Sequence, residues 1–165
     1  MRTAKTILTV IQERGKQHKP IERVYKLLFN REFYLNAYAK LYPNNGALTK
    51  GVTEETVDGM SIQKIDRMIE LLREEKYQWK PARREYIPKK NGKKRPLGIP
   101  TWGDKLLQEV MREILEAYYE PQFSTHSHGF RPNRGCHTAL QEIQVWKGTR
   151  WFIEGDISKA APHNC

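Results

Sequence analysis

The stretch Lys80–Pro100, KPARREYIPKKNGKKRPLGIP, constrains this chain more than any other. It carries eight basic residues against the single acid Glu85, and Asn91-Gly92 sits near its centre. That dipeptide is the one that most readily takes the two positive φ values of a type I′ turn. Tyr86 and Ile87 before it, with Leu97 and Ile99 after it, supply apolar strand positions. The reading is a short antiparallel β-hairpin whose cations meet phosphate; a solvated charged hairpin with no ligand fits the charge equally well. If Asn91-Gly92 forms a strict two-residue loop, Arg95 faces Pro88 and lies on the face away from Lys89. A bulge or a longer loop shifts the pairing by one and turns every later side chain over. Pro88 and Pro96 remove ladder donors and point to an irregular ribbon.

The rest of the composition narrows the class. A chain of 165 residues makes one domain or one lobe of a larger one. Its 29 basic residues against 19 acidic ones favour a polyanionic partner, nucleic acid ahead of a membrane surface. No apolar run approaches the roughly 20 residues of a membrane span, and the N-terminus is too polar for a secretory leader. Cys136 and Cys165 form no disulfide framework and no zinc spacing. His126, His128 and His137 lack further ligands at workable spacing for a metal, and Cys136 reads as a small apolar filler of a helix. A reduced, cytoplasmic protein is the simplest expectation.

Periodicity predicts a mostly helical chain. Ile7, Leu8 and Ile11 mark a helix over 4–15. Two helices with a break near Asn30 fit residues 22–42, with Tyr34, Leu35 and Tyr38 as core. A loop follows from Pro43 to Gly59, then a helix capped by Ser61 with Ile62, Ile65, Ile69 and Leu72 along one stripe. Trp102–Tyr119 is the clearest helix, its buried stripe Leu107, Val110, Met111, Ile114 and Tyr118. Another runs from about Cys136 to Trp146. Trp151, Phe152 and Ile153 form a short apolar strand leading to the carboxylate of Asp156.

Several of these runs resemble one family. RPLGIP, the block IPTWGDKLLQEVMREILEAYYEPQFS, and SHGFRPNRGCHTAL with its GFRP-x-R-x-x-H-x-A-L pattern are similar to the reverse transcriptases encoded by group II introns, the maturases. YKLLFNREFYLNAY and NNGALTKGV…TVDG resemble the family's N-terminal extension and the start of its fingers. The fold implied is α+β, mostly helical with a short antiparallel fingers hairpin and one palm strand, part of a right-hand polymerase. The implied domains are an RNA-binding helical N-terminal extension over 1–60, fingers over 61–128 with the basic hairpin at 83–100, the start of a palm over 129–157, and an atypical tail over 158–165. The resemblance implies nucleotide binding by Arg83, Lys89, Arg95 and Ile157, with Lys89 and Arg95 on the triphosphate and Arg83 against the base. It implies Asp156 as a catalytic carboxylate and Mg2+ ligand, with metal ions activating the primer 3′ oxygen and steadying the leaving pyrophosphate. Lys80, Arg84, Lys90, Lys93, Lys94, Arg131 and Arg134 are the expected nucleic-acid contacts; for Arg131 and Arg134 a structural role competes evenly. The expected partners are group II intron RNA, a template-primer duplex and an incoming dNTP.

After Asp156 the family continues with an aromatic pair, Asp and His, whereas this sequence reads SKAAPHNC. The YADD-type hairpin that brings the remaining catalytic aspartate is also missing. A fragment that does not polymerise alone is therefore expected. The alternative is a non-catalytic, stand-alone RNA-binding module. An unpaired palm strand carrying Trp151 and Ile153 leaves self-association as a further expectation.

Overall fold

A computed structural model describes residues 3–89 and 92–155, in two compact units, Met1–Phe123 and Ser124–Cys165. The first unit runs through α1 (Ala4–Lys16), α2 (Val24–Leu27), α3 (Arg31–Leu41), α4 (Ile62–Arg73), β1 (Arg83–Pro88), β2 (Lys94–Ile99) and α5 (Trp102–Tyr119). The second contains α6 (Cys136–Gln144). A polar residue is written at the start of each of the four long helices of the first unit. The side chains of Thr3, Asn30, Ser61 and Thr101 accept from the backbone N–H of Thr6, Glu32, Lys64 and Asp104, satisfying donors that a helix start leaves orphaned.

Helix α5 is the central element. Leu106, Leu107, Val110 and Ile114 are all but completely buried, and α1 and α3 pack against it. Ile65, Met68, Ile69 and Leu72 of α4 and Phe33, Tyr34 and Ala37 of α3 join the same core. Each fully buried aliphatic side chain there contributes about 1.5–3 kcal/mol over its exposed form. The Tyr34 hydroxyl, buried with them, donates to the Leu28 carbonyl at 2.8 Å, and burial pushes its pKa up. Where α1 meets α5 the contact is backbone to backbone: a Cβ built on Gly15 would lie 2.2 Å from the Tyr118 carbonyl oxygen. Only glycine allows that approach.

Three expected core positions lie outside the core. Ile62 is more than half exposed because it occupies the first turn of α4, and Met68 fills the stripe instead. Met111 sits at the edge of the α5 stripe, whose centre takes in Leu106, and Leu35 faces outward from α3. The break near Asn30 is present, with Asn30 serving as the cap of α3.

The segment between α3 and α4 is docked. Ala47, Val57 and Trp102 form a second small cluster, and a Cβ on Gly51 would lie 2.8 Å from the Pro100 carbonyl oxygen. Lys105 Nζ ties the loop down by donating to the Gly46 and Thr49 carbonyls at 3.2 and 3.0 Å. Burial, then the nearby Arg83 charge, lowers the pKa of Lys105.

In the second unit α6 ends at Gln144, two residues short of the expected Trp146. The expected palm strand is not formed within the described residues: 149–155 carry no regular structure. A strand is defined by a ladder, and the sheet among the described residues contains β1 and β2 alone. Among the described residues no helix is long and apolar enough to cross a membrane.

Candidate nucleic-acid interface

The pairing of β1 and β2 decides what the cationic hairpin can do. Arg83 lies opposite Ile99, Arg84 opposite Gly98, Glu85 opposite Leu97, Tyr86 opposite Pro96, Ile87 opposite Arg95 and Pro88 opposite Lys94. The hairpin closes through Lys89 N–H to the Lys93 carbonyl at 2.7 Å and Gly92 N–H to the Lys89 carbonyl at 3.0 Å. Three residues, 90–92, therefore separate the last bonded pair. Of the two loops that the sequence left open, the register is that of the longer, shifted by one residue from the strict two-residue turn. The reason lies in Gly92, whose φ of 76° provides the left-handed residue that closes a three-residue hairpin loop.

The one-residue shift sorts the side chains by face. Arg83, Glu85, Ile87 and Lys89 of the first strand and its extension share a face with Lys93, Arg95, Leu97 and Ile99. Arg84, Tyr86, Pro88, Lys94, Pro96 and Gly98 occupy the other. Lys89 and Arg95, which the two-residue loop would separate, stand on one side. The bonded pair Lys89–Lys93 also fixes the alternation of the ladder. Pro88–Lys94 and Tyr86–Pro96 fall at non-hydrogen-bonded positions, so neither proline removes a ladder bond. The ribbon expected to be irregular is regular through both prolines.

Both faces are open to solvent, apart from the ends at Arg83 and Ile99. Arg83 is the most enclosed of the cations. Its Nε donates to the Lys50 carbonyl at 3.1 Å, and its guanidinium pairs with Glu85 on the same face. Such a solvent-facing pair contributes about 0–1 kcal/mol and yields readily to a stronger anion. Lys89, Lys93, Lys94 and Arg95 are exposed around the loop end.

The base of the hairpin is held by a residue that sequence reasoning missed. Asp104, 2% exposed in the first turn of α5, accepts from Tyr77 Oη at 2.7 Å, from Thr101 Oγ1 at 2.6 Å and from the Lys80 backbone N–H at 3.3 Å. Burial, then the hydrogen bond to Asp104, raises the pKa of Tyr77. One carboxylate thus joins the strand-entry segment 77–80 to the helix that follows the hairpin. Its only sequence signal was an acid three residues after a threonine cap.

In the second unit Arg131 Nη1 donates to the Ser124 and Ser127 carbonyls at 2.7 and 2.8 Å. Arg134 Nη1 donates to the Thr125 and Ser127 carbonyls. Both arginines therefore hold the loop before α6, partners that their spacing did not reveal. His126 and His128 converge on Glu142, whose carboxyl lies below its ordinary pKa because of the bonds from His126 and then His128. His128 also meets Thr138 Oγ1 at 2.8 Å. Among the described residues no group of three or more His, Cys, Asp or Glu is arranged to hold a metal. Asp156, Ile157 and Lys90 lie outside the described residues; of the expected nucleotide contacts the described residues include Arg83, Lys89 and Arg95, and the expected metal ligand is not among them.

Comparison with known proteins gives consistent results. Residues 87–160 match the family model described as reverse transcriptase (RNA-dependent DNA polymerase). Group II intron-encoded protein LtrA of Lactococcus lactis subsp. cremoris is 48% identical over 161 residues, 95% of this chain and 27% of that protein. A 91 kDa protein in the cob intron of Schizosaccharomyces pombe, itself uncharacterized, is 45% identical over 172 residues, 98% of this chain and 21% of that protein. Nuclear intron maturase 1, mitochondrial, of Arabidopsis thaliana is 42% identical over 65 residues, 39% of this chain and 9% of that protein. The chain thus spans about a quarter of the length of the first two.

Proposed function

Because this chain belongs with the group II intron-encoded proteins and carries part of a reverse transcriptase domain, we propose that its hairpin grips the triphosphate of an incoming nucleotide during RNA-directed DNA synthesis. The observation that supports this reading is the shared face of Arg83, Lys89 and Arg95. A triphosphate leaving water needs positive charge and directed donors. Arg95 supplies a planar fork and Lys89 a compact charge on a flexible stem. Arg83, fixed by the Lys50 carbonyl, stands at the closed end of the face, where its guanidinium plane lies against the base. The magnesium ligand in this proposal, Asp156, and its neighbour Ile157 lie outside the described residues; the phosphate grip does not draw on them.

The surrounding cations are read as contacts to intron RNA and the template-primer duplex: Lys80, Arg84, Lys90, Lys93 and Lys94 in the fingers, Arg131 and Arg134 beside α6. Arg134, beside α6, gives only Nη1 to the carbonyls that hold its loop, and its guanidinium carries further N–H donors. In the same reading residues 1–60 are the RNA-binding extension, 61–128 the fingers, and 129–157 the palm entry, in a cytoplasmic enzyme. Trp151 and Ile153, each about nine-tenths exposed, form the apolar surface through which a second copy associates. A concentration-independent monomer in sedimentation would remove that element.

The test is equilibrium binding of a nucleoside triphosphate to the chain and to Lys89→Ala/Arg95→Ala. Loss of two charge-assisted contacts, each about 1.5–3 kcal/mol, predicts at least a hundred-fold weaker binding. Parent-like binding by the double variant would refute the grip. A non-catalytic RNA-binding role is the second reading, favoured by the number of exposed cations; it predicts RNA binding without any triphosphate site.

A further inference from the structure

The second face of the hairpin carries a different chemistry from the first. Its residues are Arg84, Tyr86, Pro88, Lys94, Pro96 and Gly98, with no acid and with two proline rings as its apolar side chains beside the tyrosine. Tyr86 is 56% exposed, and the residue directly opposite it is Pro96. On the diagonals across the ladder stand Lys94 toward the loop and Gly98 toward the base. Arg84 lies two residues along the same strand, on the same face. An exposed ring therefore sits between two cations, beside a position with no side chain to cover it.

We propose that this face is a stacking platform for a single-stranded segment of RNA, with a base on Tyr86 and the flanking phosphates on Arg84 and Lys94. The proposal deepens the nucleic-acid part of the reading above. Three observations choose the occupant. A two-stranded ribbon with both faces in water is marginal by itself, so a ligand on this face adds stability the fold lacks. The uniform positive charge selects a polyanion over an apolar helix or an acidic-basic protein surface. The flat ring selects unpaired bases, because a paired base presents its edge and not its π-face to a protein.

The experiment uses the full chain and a fluorescent oligouridylate of roughly 20 nucleotides, longer than the span of one such platform, against a duplex RNA of equal length. Tyr86→Ala is expected to weaken single-strand binding about five- to hundred-fold, the range for losing one stacked base, and Tyr86→Phe to stay near the parent. Arg84→Ala/Lys94→Ala is expected to make the salt dependence shallower by about 1.4 in log-log slope, two single-strand phosphate contacts. Single-strand binding by Tyr86→Ala equal to the parent, or an unchanged slope in the double cation variant, overturns the platform. Equal loss of duplex binding in Tyr86→Ala overturns it too, because the ring would then not be reading unpaired bases. Triphosphate binding by Lys89→Ala/Arg95→Ala reports on the opposite face, so failure of the nucleotide grip is visible separately from failure of this platform.

Discussion

Asp104→Ala should be the most damaging single change at the hairpin base. In the parent this buried carboxylate accepts from Tyr77 Oη, Thr101 Oγ1 and the Lys80 N–H. Lys80 is exposed, and its N–H can turn to water. Thr101 is 3% exposed and Tyr77 is partly buried, so their hydroxyls lose an acceptor that water replaces only in part. Each stranded buried group costs about 1–3 kcal/mol, and removal of an acid from the first turn of α5 adds about 0.3–1 kcal/mol. With Tyr77 at the low end for its partial exposure, the total is about 2–5 kcal/mol. For a unit of this size, at about 3–6 °C per kcal/mol, thermal unfolding followed by near-UV circular dichroism should shift down by on the order of 10 °C. Asp104→Asn keeps one acceptor oxygen and should lose about half as much. If the cost comes from a stranded hydroxyl, Tyr77→Phe must recover about 1 kcal/mol in the Asp104→Ala background while destabilising the parent. A melting point for Asp104→Ala within about 2 °C of the parent, or no recovery by Tyr77→Phe, would refute the account.

Gly15→Ala places a methyl against the Tyr118 carbonyl and should force α1 off α5, costing about 1–3 kcal/mol as core overpacking does in a chemical-denaturation curve; Gly46→Ala, with open space at its Cβ, is the control. The carboxyl of Glu142 titrates below its ordinary value of 4.5 because of His126 and then His128. Its folded pKa is depressed, so the stability it contributes is present above the unfolded value and is lost as pH falls through the folded one. Protection of the α6 amides, taken relative to the intrinsic exchange rate at each pH, should fall below about pH 4.5 in the parent, and Glu142→Gln should lack that step.

The helices were legible because apolar period and caps agree: Ser61 and Thr101 cap the helices they precede, and Trp102–Tyr119 has the bounds its pattern implied. Face assignments at stripe edges were not, since Leu106 and Met111 stand about 140° apart on a helical wheel, at opposite edges of the apolar arc, and the neighbour decides which edge is buried. The hairpin was legible as a hairpin but not in register. Asn-Gly favours a two-residue turn, and only the closing bonds of Lys89 with Lys93 and Gly92 reveal that the glycine serves a three-residue loop. The implied nucleotide residues Arg83, Lys89 and Arg95 therefore share a face for a reason the dipeptide concealed. Asp104 was illegible because its partners Tyr77 and Lys80 lie more than 20 residues away, across the hairpin. Arg131 and Arg134 left two roles open, and their carbonyl partners depend on loop geometry that spacing does not encode.

The register of the hairpin underlies both proposed faces, and cysteine cross-linking reads it directly. In a background with Cys136→Ser and Cys165→Ser, Glu85→Cys/Leu97→Cys places two thiols on directly opposed residues, within the usual disulfide span. Glu85→Cys/Gly98→Cys places them on opposite faces. Rapid oxidation of the first pair and slow oxidation of the second, followed by mass spectrometry, is the predicted result. Preferential closure of the second pair would put Lys89 and Arg95 on different faces and contradict the account.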